Sequence, residues 1–161
     1  MTKNKNWPII AGAIWSFVFA IMSFYWALGG MIGVESLGGK IYQLALERNP
    51  QFILLVWITG FIKVIGGVFL LLMLMNRLPD FIKKSLYWIS IVAGIFLFLY
   101  GAANFTTVGM AKWGLLEMGQ QSQLALNWRF YFWEPFWMLG GILYFIAGRR
   151  ASKEFSARYS S

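Results

Sequence analysis

Residues 52–75 read FILLVWITGFIKVIGGVFLLLMLM, an apolar run interrupted by a single charged side chain, Lys63. A helix needs about 20 mostly apolar residues to cross a hydrocarbon layer about 30 Å thick. Backbone polar groups must be paired inside lipid, and the run lacks the strict alternation of a barrel strand. The stretch therefore predicts a helix that spans a membrane.

Three further runs have the same character, over residues 8–32, 86–105 and 130–148. We interpret the first as a retained helix, because its apolar part exceeds the roughly 7–15 residues of a signal peptide core and no Ala-x-Ala-like site follows. The sequence thus predicts an all-α polytopic membrane protein, a single domain over residues 1–161. Its expected architecture is an antiparallel four-helix transmembrane bundle.

The composition points the same way and excludes several classes of function. Of 161 residues, 59% are apolar and 12% are charged, and the mean hydropathy is +0.62, whereas soluble domains are about 45–50% apolar and about 25% charged. A disordered chain, a soluble enzyme domain and a coiled coil are therefore excluded. The sequence has no Cys and no His, which excludes disulfides, thiol redox pairs, His/Cys zinc sites, His-ligated haem and His acid–base catalysis. We predict no cofactor and no metal site.

Positive charge is distributed unequally between the two ends of the predicted helices. Nine of the 14 Lys and Arg residues lie in the N-terminus, the 76–85 turn and the C-terminal tail, and three lie in the 33–51 and 106–128 loops. Positively charged loops stay inside, so we expect both termini in the cytoplasm and the chain in the cell membrane. The net charge of +8 then reflects topology and attraction to the lipid bilayer. No nucleic-acid partner is expected, since no basic cluster accompanies a base-stacking motif.

The two outer loops contain apolar residues at helical spacing, in 41–48 and in 110–116. This spacing predicts short amphipathic segments that lie at the outer lipid surface.

Two charged groups inside the predicted spans are the most informative residues. Lys63 lies near the midplane, where a lone ammonium costs at least ~2.5–3.5 kcal/mol, and Glu134 is the only acid inside any span. We therefore predict a Lys63–Glu134 ion pair. Arg129 is a second partner for Glu134, although a pair five positions apart is less favourable on an α-helix than a pair four apart. Pro135 lacks an N–H and frees the carbonyl of Tyr131.

Aromatic and polar side chains gather around these charges in the outer half of the predicted bundle. They predict a polar, aromatic-lined cavity that binds or transports a small amphipathic molecule. The candidate ligand-binding residues are Tyr25, Trp26, Trp57, Lys63, Tyr100, Asn104, Arg129, Trp133, Glu134 and Trp137.

Two other functions remain open. The chain could be a structural or accessory subunit that packs against a membrane-protein partner or a second copy, with a purely structural Lys63–Glu134 pair. It could also be a membrane-embedded enzyme that modifies a lipid or isoprenoid through Glu134 and a tyrosine. No catalytic residue is assigned, because acid–base catalysis needs a second placed group and no other titrating group lies near. The sequence therefore favours a role that is not enzymatic.

Two motifs resemble those of a known family. Tyr25-Trp26-Ala27-Leu28-Gly29-Gly30 closes the first predicted helix, and Trp133-Glu134-Pro135-Phe136-Trp137-Met138-Leu139-Gly140-Gly141, preceded by Arg129, lies in the fourth. Both are similar to motifs of small bacterial four-helix membrane proteins that are catalogued as a domain of unknown function. The resemblance implies the four-helix topology and a bacterial inner membrane, and it implies no activity.

Overall fold

The computed structural model describes residues 6–75, 77–117, 119 and 121–159, and within these ranges the chain is helical without strands. Besides the regular helices it contains a short 3₁₀ turn and a short π-turn. The elements are α1 Trp7–Ala27, the 3₁₀ turn Val34–Leu37, α2 Gly39–Leu46, α3 Pro50–Leu72, α4 Asp80–Lys112, α5 Gln123–Trp128, the π-turn Arg129–Trp133 and α6 Glu134–Tyr159.

Within the described residues, three helices are long and apolar enough to cross a membrane: α1, α3 and α4. Helix α6 is not in this set, because Arg149, Arg150, Lys153 and Glu154 make its second half strongly polar. Large apolar side chains such as Ile14, Ile21, Ile65, Val92 and Phe96 are exposed on the three apolar helices. A chain with such helices and so many exposed apolar side chains is a membrane protein.

Helices α1 and α3 pack antiparallel along a face of α3 that glycines keep open. Methyl groups on Gly60 and Gly67 would lie 2.6 Å from the ring of Phe24 and 2.8 Å from the ring of Phe17. Because the residue numbers fall along α1 as they rise along α3, the two helices run in opposite directions. Small residues of this kind let membrane helices approach closely.

Helices α4 and α6 form the closest helix pair of the structure. A methyl group on Gly141 would lie 2.5 Å from the backbone nitrogen of Phe98 and 2.7 Å from the carbonyl oxygen of Gly94. A methyl group on Gly148 would lie 2.6 Å from the carbonyl oxygen of Tyr87. The two backbones therefore touch over several turns, again in antiparallel order.

Helix α1 also contacts α6, so the four long helices follow the order α3, α1, α6, α4. The indole nitrogen of Trp15 donates to the carbonyl oxygen of Phe136 (3.0 Å), and the hydroxyls of Ser16 and Tyr144 are 2.7 Å apart. The ring of Trp15 lies where a side chain on Gly140 would stand. Buried hydrogen bonds thus fix the register of the central pair, which carries most of the core.

The first predicted span ends earlier than expected, at Ala27 instead of Ile32. Gly29 has a φ of +104°, and the N–H groups of Gly29 and Gly30 donate to the carbonyls of Trp26 (3.0 Å) and Tyr25 (2.9 Å). This double hydrogen bond is a Schellman cap, which ends a helix at a glycine with positive φ. The Gly-Gly pair of the first motif is therefore a helix stop.

The α4–α6 contact predicts that Gly141→Leu destabilises the protein. A side chain at this position meets the backbone of α4, which cannot rotate away, so we expect a loss of about 1–3 kcal/mol. Thermal unfolding in detergent measures it. Ile142→Leu, at the exposed neighbouring position, is the control and should unfold like the parent. Equal midpoints for the Gly141 variant and the control would contradict this packing.

Candidate functional site

The candidate site lies at the end of the long helices that carries residues 28–49 and 113–122, which we call the loop end. The π-turn Arg129–Trp133 connects α5 to α6 there, and the N–H of Glu134 donates to the carbonyl of Arg129, five residues earlier. Pro135 follows directly and has no N–H to continue an α-helical ladder. An i→i+5 turn sets residues five apart almost above one another, which an α-helix does not do.

This turn places the guanidinium of Arg129 on the carboxylate of Glu134. Arg129 Nε and Nη2 both donate to Glu134 Oε1, at 2.9 Å and 2.8 Å. Nη2 also lies 3.5 Å from Asn104 Oδ1 on α4. Glu134 is only 4% exposed, and a buried acid needs such charged, hydrogen-bonded compensation. The predicted contact between Arg129 and Glu134 is confirmed.

The predicted Lys63–Glu134 pair is wrong. Lys63 Nζ instead donates to Ser23 Oγ on α1 at 3.0 Å, and it lies 4.4 Å from the ring centroid of Phe19 and 5.9 Å from that of Trp137. All six acids of the chain are within the described residues, and none forms an ion pair with Lys63. The physical reason is the π-turn, which places the guanidinium of Arg129 on the carboxylate of Glu134, five residues later in the same chain segment.

The two rings beside the tip of Lys63, those of Phe19 and Trp137, belong to a larger aromatic cluster. Phe19 contacts Trp137 (4.8 Å between centroids) and Trp133 (6.1 Å), and Tyr100 meets Trp137 edge-on at 5.3 Å. Trp26 meets Trp133 at 5.6 Å. A ring face over an ammonium is worth roughly 0.5–2 kcal/mol, so the rings offset part of the cost of this charge.

Sequence analysis missed two residues of this group, Phe19 and Ser23. A usable signal was present: they are four residues apart on α1, and Phe19 is four residues after Trp15, so all three share one helical face. Ser23 also donates to the carbonyl of Phe19 (3.2 Å). Its hydroxyl oxygen therefore points a lone pair at Lys63.

Polar atoms of several predicted site residues hold the loop after α1. Trp26 Nε1 donates to the carbonyl of Ile32 (2.9 Å), and the Ile32 N–H donates to the Tyr25 hydroxyl (3.2 Å). Trp133 Nε1 donates to Ser36 Oγ in the 3₁₀ turn (2.8 Å). The indole N–H groups of Trp26 and Trp133 are therefore already used within the protein, and these two side chains offer only their rings to a ligand.

Trp57 is not brought to the group around Lys63. It packs against Phe24 (5.3 Å) and Phe61 (6.0 Å) at the α1–α3 seam. Tyr100 and Asn104 approach from α4, with Tyr100 half exposed and its carbonyl accepting from Asn104 Nδ2 at 2.9 Å.

A separate cavity of about 300 Å³ lies at the opposite end of the helices, where sequence analysis placed no candidate residue. It is lined by apolar residues such as Met73 and Tyr87 and by charged residues such as Arg150 and Glu154. Within the described part of the chain, no cluster of three acids could hold a metal ion at either end.

A family model described as "Protein of unknown function (DUF3995)" matches residues 16–144. The chain belongs to this family. The matched range includes every candidate residue discussed above, so the Lys63 and Glu134 surroundings lie inside the family's domain. No curated protein and no solved structure matches the chain. Expected membership of a family of unknown function is thereby confirmed.

The geometry predicts the outcome of two double-mutant cycles. Arg129→Met and Glu134→Gln should be coupled by about 1–3 kcal/mol in unfolding free energy, because each single change leaves a buried charged partner. Lys63→Met and Glu134→Gln should be additive within about 0.5 kcal/mol, since the two groups are not paired. Denaturation in detergent measures both cycles. Strong coupling between Lys63→Met and Glu134→Gln would contradict this geometry and support a Lys63–Glu134 ion pair.

Proposed function

We propose that the protein is a four-helix integral membrane protein that binds a small amphipathic molecule beside Lys63, between α1, α3 and α6. The loop end faces outward in this proposal, and both termini are cytoplasmic. The observation that carries the binding function is the Lys63 ammonium, which lies among aromatic rings and has no acidic partner in the described chain.

Packing supports a fourth crossing by the π-turn and the first half of α6. Residues 130–148 extend for about 28 Å at 1.5 Å per residue, close to the thickness of a hydrocarbon layer. They contact α4 and α1 along this length, at Gly141, Gly140 and Tyr144. The charged residues begin at Arg149, where such a crossing would reach the inner surface.

The surroundings of Lys63 support binding over a purely structural role. A structural ion pair neutralises both charges, as Arg129 and Glu134 do. From the described residues Lys63 receives only a hydroxyl oxygen and ring faces, and its side chain stays partly exposed. A charge at this depth with so few partners is typical of a binding site.

A second candidate function is that of an accessory subunit of a membrane complex. One observation favours it: an apolar groove of about 240 Å³ between α4 and α6, lined by Gly94, Phe98, Gly141 and Phe145 with flanking aliphatic residues. A partner helix with a small protruding side chain would fit there. The enzymatic alternative gains no support, because the hydrogen bonds that the described residues give to the carboxylate of Glu134 come from Arg129 and not from a tyrosine.

The topology proposal predicts a labelling pattern that single cysteines report, since the chain has no Cys of its own. In intact cells, a membrane-impermeant maleimide should label Glu117→Cys and should label neither Arg77→Cys nor Lys153→Cys until the membrane is permeabilised. The cysteine-free parent gives the background. Labelling of Lys153→Cys from outside would mean that α6 does not cross.

The binding proposal predicts saturable quenching of tryptophan fluorescence by a bromine-labelled single-chain amphiphile, because Trp133 and Trp137 lie beside the site. Lys63→Met should weaken binding by about tenfold or more, the effect of one charged hydrogen bond. The control is Lys112→Met, which also removes an ammonium from a ring, that of Tyr131 at 4.0 Å, but away from Lys63. Quenching without saturation, or equal affinity in both variants, would favour the accessory subunit.

A further inference from the structure

We infer that the ligand of the Lys63 site carries an anionic head group: a carboxylate, sulfate or phosphate. This inference rests on the proposed binding function and adds the chemical class of the ligand.

The acid at the loop end is already neutralised by a guanidinium. Arg129 donates two hydrogen bonds to Glu134 Oε1, so the pair presents no net charge. A cationic ligand at Glu134 would have to share the carboxylate with a guanidinium that the π-turn holds in place. It would also meet the uncompensated ammonium of Lys63.

None of the remaining acids forms an ion pair with Lys63. Three of them are exposed in the connections between helices, and two are near the opposite end of the long helices, beside the cavity there. They are Glu35, Glu47 and Glu117 in the first set, and Asp80 and Glu154 in the second. Lys63 thus leaves one positive charge that no side chain of the described protein balances.

The ammonium of Lys63 has N–H donors to offer to a hydrogen-bond acceptor on a ligand. An ammonium has three N–H donors, and the described residues give Lys63 one conventional acceptor, Ser23 Oγ. That hydroxyl donates its own hydrogen bond to the carbonyl of Phe19, so toward Lys63 it acts only as an acceptor. An incoming oxyanion would accept from the N–H groups that Ser23 does not take.

The position of Lys63 along α3 indicates how the ligand must be shaped. Lys63 follows Pro50 by thirteen residues, about 20 Å along the helix axis, and its neighbours Phe61 and Ile62 are exposed apolar residues. The ligand therefore carries its anion to mid-depth with an apolar body beside it. An ordinary bilayer phospholipid keeps its phosphate at the surface and is poorly placed for this contact.

Three probes with one common brominated alkyl chain test the inference on the purified full chain in a neutral detergent. Their head groups are a carboxylate, a trimethylammonium and a glucoside, and tryptophan quenching measures their affinities. We expect the carboxylate to bind about tenfold or more tightly than the other two. An anionic phospholipid, added as a competitor, distinguishes the two sources of the anion: displacement assigns the site to a bilayer lipid, and no displacement to a free amphipathic acid.

Substitutions at position 63 distinguish the effect of the side chain's charge on binding from the effect of its shape. Lys63→Arg should keep the preference for the carboxylate, and Lys63→Met should abolish the preference while the glucoside still binds. Lys112→Met is the matched control and should bind all probes like the parent, and circular dichroism in detergent checks that each variant is folded. Saturable binding with equal affinity for all three head groups would overturn the anionic class and leave the binding function standing. Saturable binding of none of them would overturn the binding function itself.

Discussion

The contact between Arg129 and Glu134 decides the electrostatics of the loop end. Without it, the only acid within the predicted spans would be the natural partner of the only lysine, and both charges would cancel in a structural pair. With it, the acid is neutralised from its own helix, and Lys63 remains on a different helix with a serine hydroxyl and two rings. A local feature of one turn therefore determines whether the interior carries a net charge.

That local feature depends on backbone geometry which a hydropathy pattern does not contain. The spacing of five between Arg129 and Glu134 is unfavourable on an α-helix, and for this reason the sequence favours Lys63 as the partner. Pro135 was a correct sign that the hydrogen-bond ladder is disturbed just before it. Whether the disturbance becomes a kink, a break or a π-turn depends on how α5 packs over the loop after α1, which is a tertiary contact.

The helices themselves could be predicted because lipid imposes a simple requirement, about 20 apolar residues with all backbone groups paired. The predicted run 52–75 corresponds to α3 at Pro50–Leu72, and 86–105 lies inside the longer α4. The end of α1 was misplaced because Gly29-Gly30 is as apolar as a helix interior while its backbone forms a cap. The apolar composition of a segment indicates its affinity for lipid, but it does not indicate where the backbone adopts a positive φ and ends a helix.

The aromatic residues of the site could be predicted as a group, but their roles could not. Tyr25, Trp26 and Trp133 are equally attractive as ligand contacts in the sequence, yet their polar atoms fasten the loop through Ile32 and Ser36. Phe19 shares a helical face with Trp15 and Ser23 in the sequence, but nothing in that pattern indicates that its ring lies beside an ammonium.

Lys63 lowers the stability of the fold because its charge is desolvated, and none of these aromatic residues carries such a charge. An apolar side chain of similar length at position 63 would keep the packing against Phe19 and avoid the desolvation of a charge, and such replacements often stabilise proteins. The hydroxyl of Ser23 and the ring faces offset only part of that cost. Residues that lower stability without completing a structural network are concentrated where binding or chemistry requires them. The charge balance of the loop end, more than its aromatic content, is therefore what connects this fold to a function.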